Sequence, residues 1–108
     1  MYYIYLLRCQ DNSIYTGITT DIQRRMQEHF SKGEKCAKYT FRHTAQKLEK
    51  VWQTQTRADA SKLEYHIKTL KKEEKENLVA DHKNLEEVLK DKIEPDLYEV
   101  VERKGEDK

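Results

Sequence analysis

The segment from Tyr15 to His29 constrains the fold most, because it reads as the end of a strand, a short turn and a helix. Gly17 falls where the chain is expected to turn away from its strand, a position that suits a residue without a side chain. Thr20 and Gln23 have the spacing of a capping box, in which two side chains satisfy backbone N–H groups at the start of a helix. The segment therefore predicts a strand–turn–helix unit.

The predicted helix runs from about residue 21 to residue 31 and is stopped by Gly33. Three apolar side chains recur every four residues and share one face: Ile22, Met26 and Phe30. Arg25 and His29 are also four residues apart and fall beside that face, near the strand that carries Tyr15. A lone arginine at such a boundary usually lays its stem on the core and keeps its charge in water. Convergence with an imidazole and a phenol makes a functional corner an equally good interpretation.

The remaining segments predict an α/β (α+β) fold, a small, mostly antiparallel three-stranded sheet flanked by helices. Branched and aromatic residues favour strands at residues 2–7, 13–17 and 48–54. Apolar groups on both faces of the first strand predict a sheet that is covered on both sides. A turn at residues 11–12 makes a hairpin that brings Tyr5 close to Tyr15. Trp52 is expected in the core, and Thr56 is expected to start the next helix, whose buried stripe is Ala60, Leu63, Ile67 and Leu70.

The C-terminal third is highly charged and contains weaker signals. Residues 71–77 predict a solvated helix or a frayed continuation of the helix before them. Asn84 and Glu87 predict the cap of a short helix, which Pro95 ends, and residues 97–101 could add a strand. We therefore divide the chain into one compact domain and a charged extension with a partly disordered tail, at residues 1–80 and 81–108.

Composition narrows the class of partner. The 108 residues are 36% hydrophobic and 38% charged, with a net charge of +1. That charge hides an asymmetry, because residues 1–70 carry 12 basic and 7 acidic side chains, whereas residues 71–108 carry 9 and 13. A basic body of this kind suits an anionic polymer.

The cysteines and the hydropathy pattern exclude other classes. Cys9 and Cys36 form no disulfide framework, and together with the four histidines they show no zinc-ligand spacing. No apolar run is long enough to span a bilayer, and Met1 leads directly into a strand-like segment rather than into a signal peptide. We expect a cytoplasmic protein with no membrane association.

The chain resembles the GIY-YIG nuclease superfamily, and within it the small single-domain bacterial members. The two halves of the name motif match Tyr3-Ile4-Tyr5, with Tyr for the leading Gly, and Tyr15-Thr16-Gly17, with Thr for Ile. Arg25 lies at the family's arginine position, and His29 matches a histidine that some members carry one turn later. Glu64, on the later helix, matches the metal-binding glutamate. The similarity extends over roughly residues 2 to 80.

The resemblance implies a metal-dependent endonuclease that hydrolyses DNA phosphodiester bonds, of the type used in DNA repair or processing. Its catalytic set here would be Tyr5, Tyr15, Arg25, His29 and Glu64. In this scheme Tyr15 takes the proton of the attacking water, Tyr5 orients the water or the phosphate, and His29 supports the base. Arg25 contacts the phosphate oxygens, and Glu64 binds one weakly held Mg²⁺ or Mn²⁺.

A basic and aromatic segment at residues 35–43 is the candidate nucleic-acid contact, through Lys35, Lys38, Tyr39 and Arg42. The alternative is a loop whose aromatic side chains dock on the core while its charges face water, and for Phe41 this alternative is favoured. The single-domain members resemble the chain at residues 37–40, which supports Lys38 and Tyr39 as substrate contacts. We expect a monomer that binds nucleic acid, most naturally DNA, with a protein partner as one possible source of specificity.

Three features keep alternatives open. Glu64 and Lys68 have the spacing of an ordinary helical ion pair, which needs no metal. Many family members carry an asparagine twelve residues after the metal glutamate, where this chain has Glu76. We also expect no separate DNA-binding domain of the kind that members with known specificity carry. A non-catalytic nucleic-acid or protein interaction module on the same fold is therefore the second hypothesis, and a purely structural role is the third.

Overall fold

The computed structural model describes three stretches of the chain, residues 1–31, 43–89 and 91–101. Four strands lie in these stretches: β1 (Tyr2–Cys9), β2 (Ile14–Thr19), β3 (Ala45–Thr54) and β4 (Glu99–Val100). They form one antiparallel sheet in the order β2-β1-β3-β4. The predicted antiparallel α+β fold is confirmed, and the short β4 is the extra strand that the C-terminal sequence favoured.

The described helices are α1 (Ile22–Ser31), α2 (Arg57–Lys68), α3 (Lys72–Ala80), α4 (Asn84–Leu89) and a 3-10 turn (Pro95–Leu97). Thr56 caps α2 as predicted, since its hydroxyl accepts the backbone N–H of Asp59 at 3.1 Å. The charge run after α2 forms a helix of its own, α3, because Leu78 anchors it as a fully buried side chain.

Two predictions about α1 are wrong. The cap is Asp21 rather than Thr20, because the Asp21 carboxylate accepts the N–H of Arg24 at 3.1 Å. Phe30 is 46% exposed, and His29 is the fully buried side chain of this helix. The helix is rotated so that an imidazole, which finds a polar partner on the sheet, takes the inward position. The predicted stop at Gly33 lies outside the described residues.

The sheet has two covered faces because successive residues of β1 point to opposite sides. Ile4 and Leu6 face α2, α3 and α4, in a cluster that also contains Trp52. We call this the core face. Tyr5 and Leu7 face α1, in a smaller cluster with Ala45, Leu48 and Val51, and we call this the site face. All four of these β1 side chains are 0% exposed, which explains why the strand is apolar at nearly every position.

The described part of the C-terminal extension packs mainly on the core face, while Val101 packs against the cluster of the site face. Its side chains in the cluster of the core face are Leu85, Leu89, Ile93 and Tyr98. The Tyr98 hydroxyl donates to the backbone carbonyl of Asp59 at 2.6 Å, which ties the extension to α2. The division at residue 80 stays a prediction, and the predicted disordered tail beyond residue 101 lies outside the described residues.

Arg8 joins β1 to β3 and α3. Its Nη1 and Nη2 atoms donate to both carboxylate oxygens of Glu76 at 2.5 and 2.6 Å, and its Nε donates to Glu49 at 2.9 Å. Glu49 is the extra residue of β3 at a register shift opposite Leu6 and Leu7, which turns it toward Arg8. The hydrogen bonds from Arg8 lower the pKa of Glu76 to about 2. Glu76, which stands at the family's asparagine position, is therefore held by this arginine.

Candidate active site

Three rings meet on the site face: Tyr5 from β1, Tyr15 from β2 and His29 from α1. The ring centroids of Tyr5 and Tyr15 are 6.1 Å apart, and that of His29 is 5.6 Å from Tyr5 and 5.3 Å from Tyr15. Tyr5 and His29 are fully buried, whereas Tyr15 is half-buried. The hairpin and the helix thus bring these three predicted residues together, with Tyr15 closest to solvent.

Gly17 makes room for the Tyr5 ring. It lies inside β2, directly opposite Tyr5 in the antiparallel register, so the predicted reason for a glycine, a turn at the strand end, is wrong. A Cβ at Gly17 would lie 2.5 Å from the Tyr5 Oη atom, 2.7 Å from its Cζ atom and 3.0 Å from Tyr15 Cε2. The glycine is needed because the buried phenol crosses its Cα at close range.

A hydrogen bond joins the buried pair, with 2.7 Å between the Tyr5 Oη atom and the His29 Nε2 atom. Burial and, to a smaller extent, the nearby charge of Arg25 lower the pKa of His29 to about 4. Burial also holds the pKa of Tyr5 well above its usual value, although contacts with Arg25 oppose that shift. Both groups are therefore neutral at pH 7, and which of them donates the hydrogen bond depends on the tautomer of His29.

Arg25 stands beside this pair, where its guanidinium contacts both Glu28 and Tyr5. Its Nη1 atom donates to Glu28 Oε1 at 2.7 Å, and it also hydrogen-bonds to the Tyr5 phenol. Burial lowers the pKa of Arg25, but the bonds to Glu28 and Tyr5 more than offset that effect and raise the pKa above its ordinary value. The guanidinium stays charged at every accessible pH, close to Tyr5 and Tyr15.

Glu64 reaches the same region from α2, which packs on the core face. Its carboxylate pairs with Lys68 Nζ at 3.2 Å, so the helical ion pair considered from the sequence does form. The same ammonium lies 5.9 Å from the centroid of the Tyr15 ring, and the charge of Glu64 contributes to the raised pKa of Tyr5. The side chain of Glu64 is 22% exposed. The pair therefore lies at the β2 edge of the sheet, beside the three rings.

The donor set at this edge suits only a loosely held cation. Within the described residues, no group of three or more His, Cys, Asp and Glu side chains is placed to hold a metal ion. One partly exposed carboxylate fits Mg²⁺, which usually keeps several waters and takes further oxygens from a bound phosphate. It does not fit Zn²⁺, which needs three or four protein ligands.

Part of the predicted site lies outside the described residues, and one residue near the site, Lys68, was not predicted. The predicted nucleic-acid contacts Lys35, Lys38, Tyr39 and Arg42 lie outside the described residues. Lys68 was considered only as a partner of Glu64, and its approach to the Tyr15 ring was missed. Its position one turn after Glu64 is the sequence signal that could have placed it at this edge.

Comparison with known proteins identifies the fold family. The family model for the GIY-YIG catalytic domain matches residues 1–77. The chain belongs to the GIY-YIG family. Tyr5, Tyr15, Arg25 and His29, which the resemblance to this nuclease family implies as catalytic, lie on one face, and their catalytic roles stay predictions.

Relatives in this family are small proteins named only by family. The UPF0213 protein FN1575 of Fusobacterium nucleatum is 44% identical over 96 residues, which cover 85% of this chain and 94% of the relative. The UPF0213 protein YhbQ of Escherichia coli O8 is 42% identical over 89 residues, covering 82% of this chain and 86% of the relative. The solution NMR structure of the UPF0213 protein BH0048 from Bacillus halodurans is 36% identical, covers 74% of this chain and 84% of that chain, and gives a TM-score of 0.48.

In residues 1–31, 43–89 and 91–101, every helix is too short or too polar to cross a membrane.

Proposed function

We propose that this GIY-YIG protein is a Mg²⁺- or Mn²⁺-dependent endonuclease that hydrolyses DNA phosphodiester bonds in DNA repair or processing. The observation that carries the proposal is the meeting of two tyrosines, a histidine and an arginine on the site face, with Glu64 reaching the same edge from the other face. Phosphodiester hydrolysis needs a proton acceptor, a cation for the phosphate and a cation for the leaving oxygen.

Tyr15, as its phenolate, takes the proton of the attacking water, and the phenol so formed returns that proton to solvent after the phosphate bond is broken. It is the half-buried member of the ring cluster, so water reaches it, and the Lys68 ammonium lies 5.9 Å from its ring centroid. Positive charge nearby stabilises a phenolate oxygen. Tyr5 is unsuited to this role because it is fully buried and its raised pKa keeps it protonated. Tyr5 and His29 instead act as positioning residues that fix Tyr15 and Arg25.

Arg25 contacts the non-bridging oxygens of the scissile phosphate, because its guanidinium stays charged and lies next to both phenols. Glu64 holds the divalent ion, which when bound would supply positive charge to the crowded phosphate and to the leaving oxygen. Lys68 holds the Glu64 carboxylate in place until that ion binds.

The test is a cleavage assay on branched, nicked and single-stranded DNA with Mg²⁺ or Mn²⁺. Arg25→Ala and Glu64→Gln should each lower the rate by about 10²-fold or more, as removal of transition-state charge stabilisation typically does. Arg24→Ala and Glu73→Gln are matched controls, since both side chains are exposed on described helices, and they should cut like the wild type. Equal cutting by all variants would indicate a contaminating nuclease. Salt-sensitive DNA binding without cleavage in either metal would favour the non-catalytic interaction module.

A metal titration gives an independent reading of Glu64. Because Glu64 is the single carboxylate proposed to bind the ion, Mn²⁺ should bind the free protein weakly and bind more tightly once DNA is present. Thermodynamic linkage then requires the metal to increase the affinity for DNA by the same factor. NMR line broadening on adding Mn²⁺ should centre on Glu64, and Lys68→Met should strengthen it by removing the competing ammonium. Broadening centred on Glu86 and Glu87 would contradict the assignment.

A further inference from the structure

Three lysines form a basic cluster where α2 meets α3, which we call the lysine patch: Lys68, Lys72 and Lys75. Lys68 ends α2, Lys72 begins α3, and Lys75 follows one turn later on the same helix. Lys72 and Lys75 are three residues apart on one helix, so they share a face, and the charges of Lys68 and Lys72 both lower the pKa of Lys75. Lys68 connects the patch to the candidate active site, because its Nζ atom is 5.9 Å from the centroid of the Tyr15 ring.

Two of the three lysines of the patch form ion pairs with carboxylates. Lys68 pairs with Glu64 at 3.2 Å, and Lys72 pairs with Glu76 at 3.2 Å. Both carboxylate oxygens of Glu76, however, accept hydrogen bonds from Arg8, so Glu76 neutralises the charge of Lys72 only in part. The Arg8 bonds also fix α3 against the sheet, which holds Lys72 and Lys75 beside the end of α2.

Lys75 is the member whose position most needs an explanation. Its side chain is half-buried, and within the described residues it has no carboxylate at salt-bridge distance. Burial lowers the pKa of Lys75, and the charges of Lys68 and Lys72 lower it further. A half-buried ammonium between two like charges is unfavourable in isolation, and a bound anion would relieve both the repulsion and the loss of hydration.

We propose that the lysine patch binds a backbone phosphate of the nucleic-acid strand next to the scissile phosphate. The inference rests on the proposed function, which supplies the polyanion, and it adds a phosphate contact that begins at Lys68, beside Glu64 and Tyr15. Lys75 provides the uncompensated charge, while Lys68 and Lys72 share theirs between a carboxylate and the phosphate. The contact reads no base, so it fixes the strand in the site without selecting a sequence.

The test measures the affinity for a short single-stranded DNA by fluorescence anisotropy, in EDTA so that no cleavage occurs. Lys75→Gln should weaken binding about 3- to 10-fold and reduce the slope of log affinity against log salt by about 0.7, the value for one lost phosphate contact on a single strand. Lys62→Gln and Lys83→Gln, both exposed and outside the patch, are the matched controls and should leave affinity and slope unchanged.

Thermal stability provides a second readout. A lysine in the patch should affect stability and DNA affinity in opposite directions, whereas a solvated lysine should affect neither. Lys75→Gln should leave the Tm unchanged or raise it, because it removes an uncompensated half-buried charge, while DNA affinity falls. NMR titration of the lysine Cε signals should show the Lys75 pKa rising when the oligonucleotide is added.

The outcomes separate this inference from the proposed function. Normal DNA binding and cleavage, with Lys75→Gln behaving as Lys62→Gln does, would overturn the lysine patch and leave the nuclease proposal intact. A wild-type protein that binds no DNA in any salt would overturn both. Weakened binding accompanied by an unfolded Lys75→Gln protein would also count against the patch, because the structure assigns Lys75 no stabilising partner.

Discussion

The two faces of the sheet show how differently adjacent residues of one strand are used. On the core face, Ile4 and Leu6 pack against apolar side chains from three helices, and this contact has no preferred direction. On the site face, Tyr5 packs against His29 and Tyr15, and its hydroxyl needs a partner at hydrogen-bond distance. The core face therefore contributes stability through area, whereas the site face must keep defined positions.

The two half-buried arginines, Arg8 and Arg25, repeat the contrast. Arg8 bonds to two carboxylates, Glu49 and Glu76, and its role is complete within the fold. Arg25 pairs with one carboxylate, Glu28, and bonds to the phenol of Tyr5 within the ring cluster. The charge of Arg8 joins β1 to β3 and α3, whereas the charge of Arg25 lies beside the tyrosines of the candidate active site.

The largest effect on stability is expected on the core face. Leu63→Ala removes a fully buried side chain of α2 and should lower the free energy of unfolding by about 2–5 kcal/mol, the range for a leucine that leaves a cavity. The His29 ring signals should keep their NMR shifts in the fraction that remains folded. Tyr65→Ala, at a side chain 64% exposed on the same helix, should change stability by less than about 0.5 kcal/mol. Shifted His29 signals in Leu63→Ala would show that the faces are coupled.

Protonation provides the next largest effect, and it acts on the site face. The pKa of His29 is lowered from 6.5 to about 4 in the folded protein, so the unfolded chain takes up a proton first as the pH falls. The stability that neutral His29 gives is complete above about pH 6.5 and is lost between there and about pH 4. The loss is as much as roughly 3 kcal/mol, from the size of the shift.

The measurement compares urea unfolding of the wild type and His29→Gln across this pH range. The difference between the two proteins should shrink as the pH falls, because glutamine does not titrate. His66→Gln, at a half-buried histidine of α2, is the control and should leave the wild-type pH dependence in place. A constant difference between wild type and His29→Gln from pH 7 to pH 4 would mean that His29 is not held neutral by the fold.

Gly17→Ala should cost less stability but damage the site more. Its Cβ would lie 2.5 Å from the Tyr5 Oη atom, so the buried ring must move, at about 1–3 kcal/mol for a group forced into a packed region. The hydrogen bond between Tyr5 and His29 should be lost, which the His29 ring shifts would report. A Tyr5→Leu substitution in the same chain should recover stability, since it removes the clashing ring. No recovery in the double variant would show that the glycine is required for its backbone alone.

Much of the fold could be predicted because periodicity reports which faces are covered. The alternation in β1 indicated two covered faces, and the Thr56 cap and the stripe through Ala60 and Leu63 defined α2. The meeting of Tyr15, Arg25 and His29 followed from a hairpin joined to a helix by a short turn. These features depend on local spacing, which a single sequence contains.

The rest depended on contacts between distant segments. His29 was placed beside the apolar stripe, but it is the fully buried residue because Tyr5, far away in sequence, offers it a hydrogen bond. The reason for Gly17 was also non-local, because the ring that needs the space comes from the neighbouring strand. The contact of Lys68 with Tyr15 joins elements from opposite faces, which helical spacing alone could not reveal.

The smallest expected effect tests the predicted helix cap, which was wrong. Thr20 and Gln23 have capping-box spacing, but the Asp21 carboxylate accepts the N–H of Arg24 at 3.1 Å and begins α1 one residue later. Asp21→Ala should therefore cost about 1 kcal/mol, the usual value of an N-cap side chain, and Thr20→Ala should be close to neutral. Because α1 carries both Arg25 and His29, fraying at its start should also lower any cleavage rate in Asp21→Ala before it affects the core face. Hydrogen exchange of the first-turn amides of α1, measured in both variants, distinguishes the two caps. Faster exchange in Thr20→Ala than in Asp21→Ala would show that Thr20 is the cap. The helix would then begin one residue earlier than the structure has it.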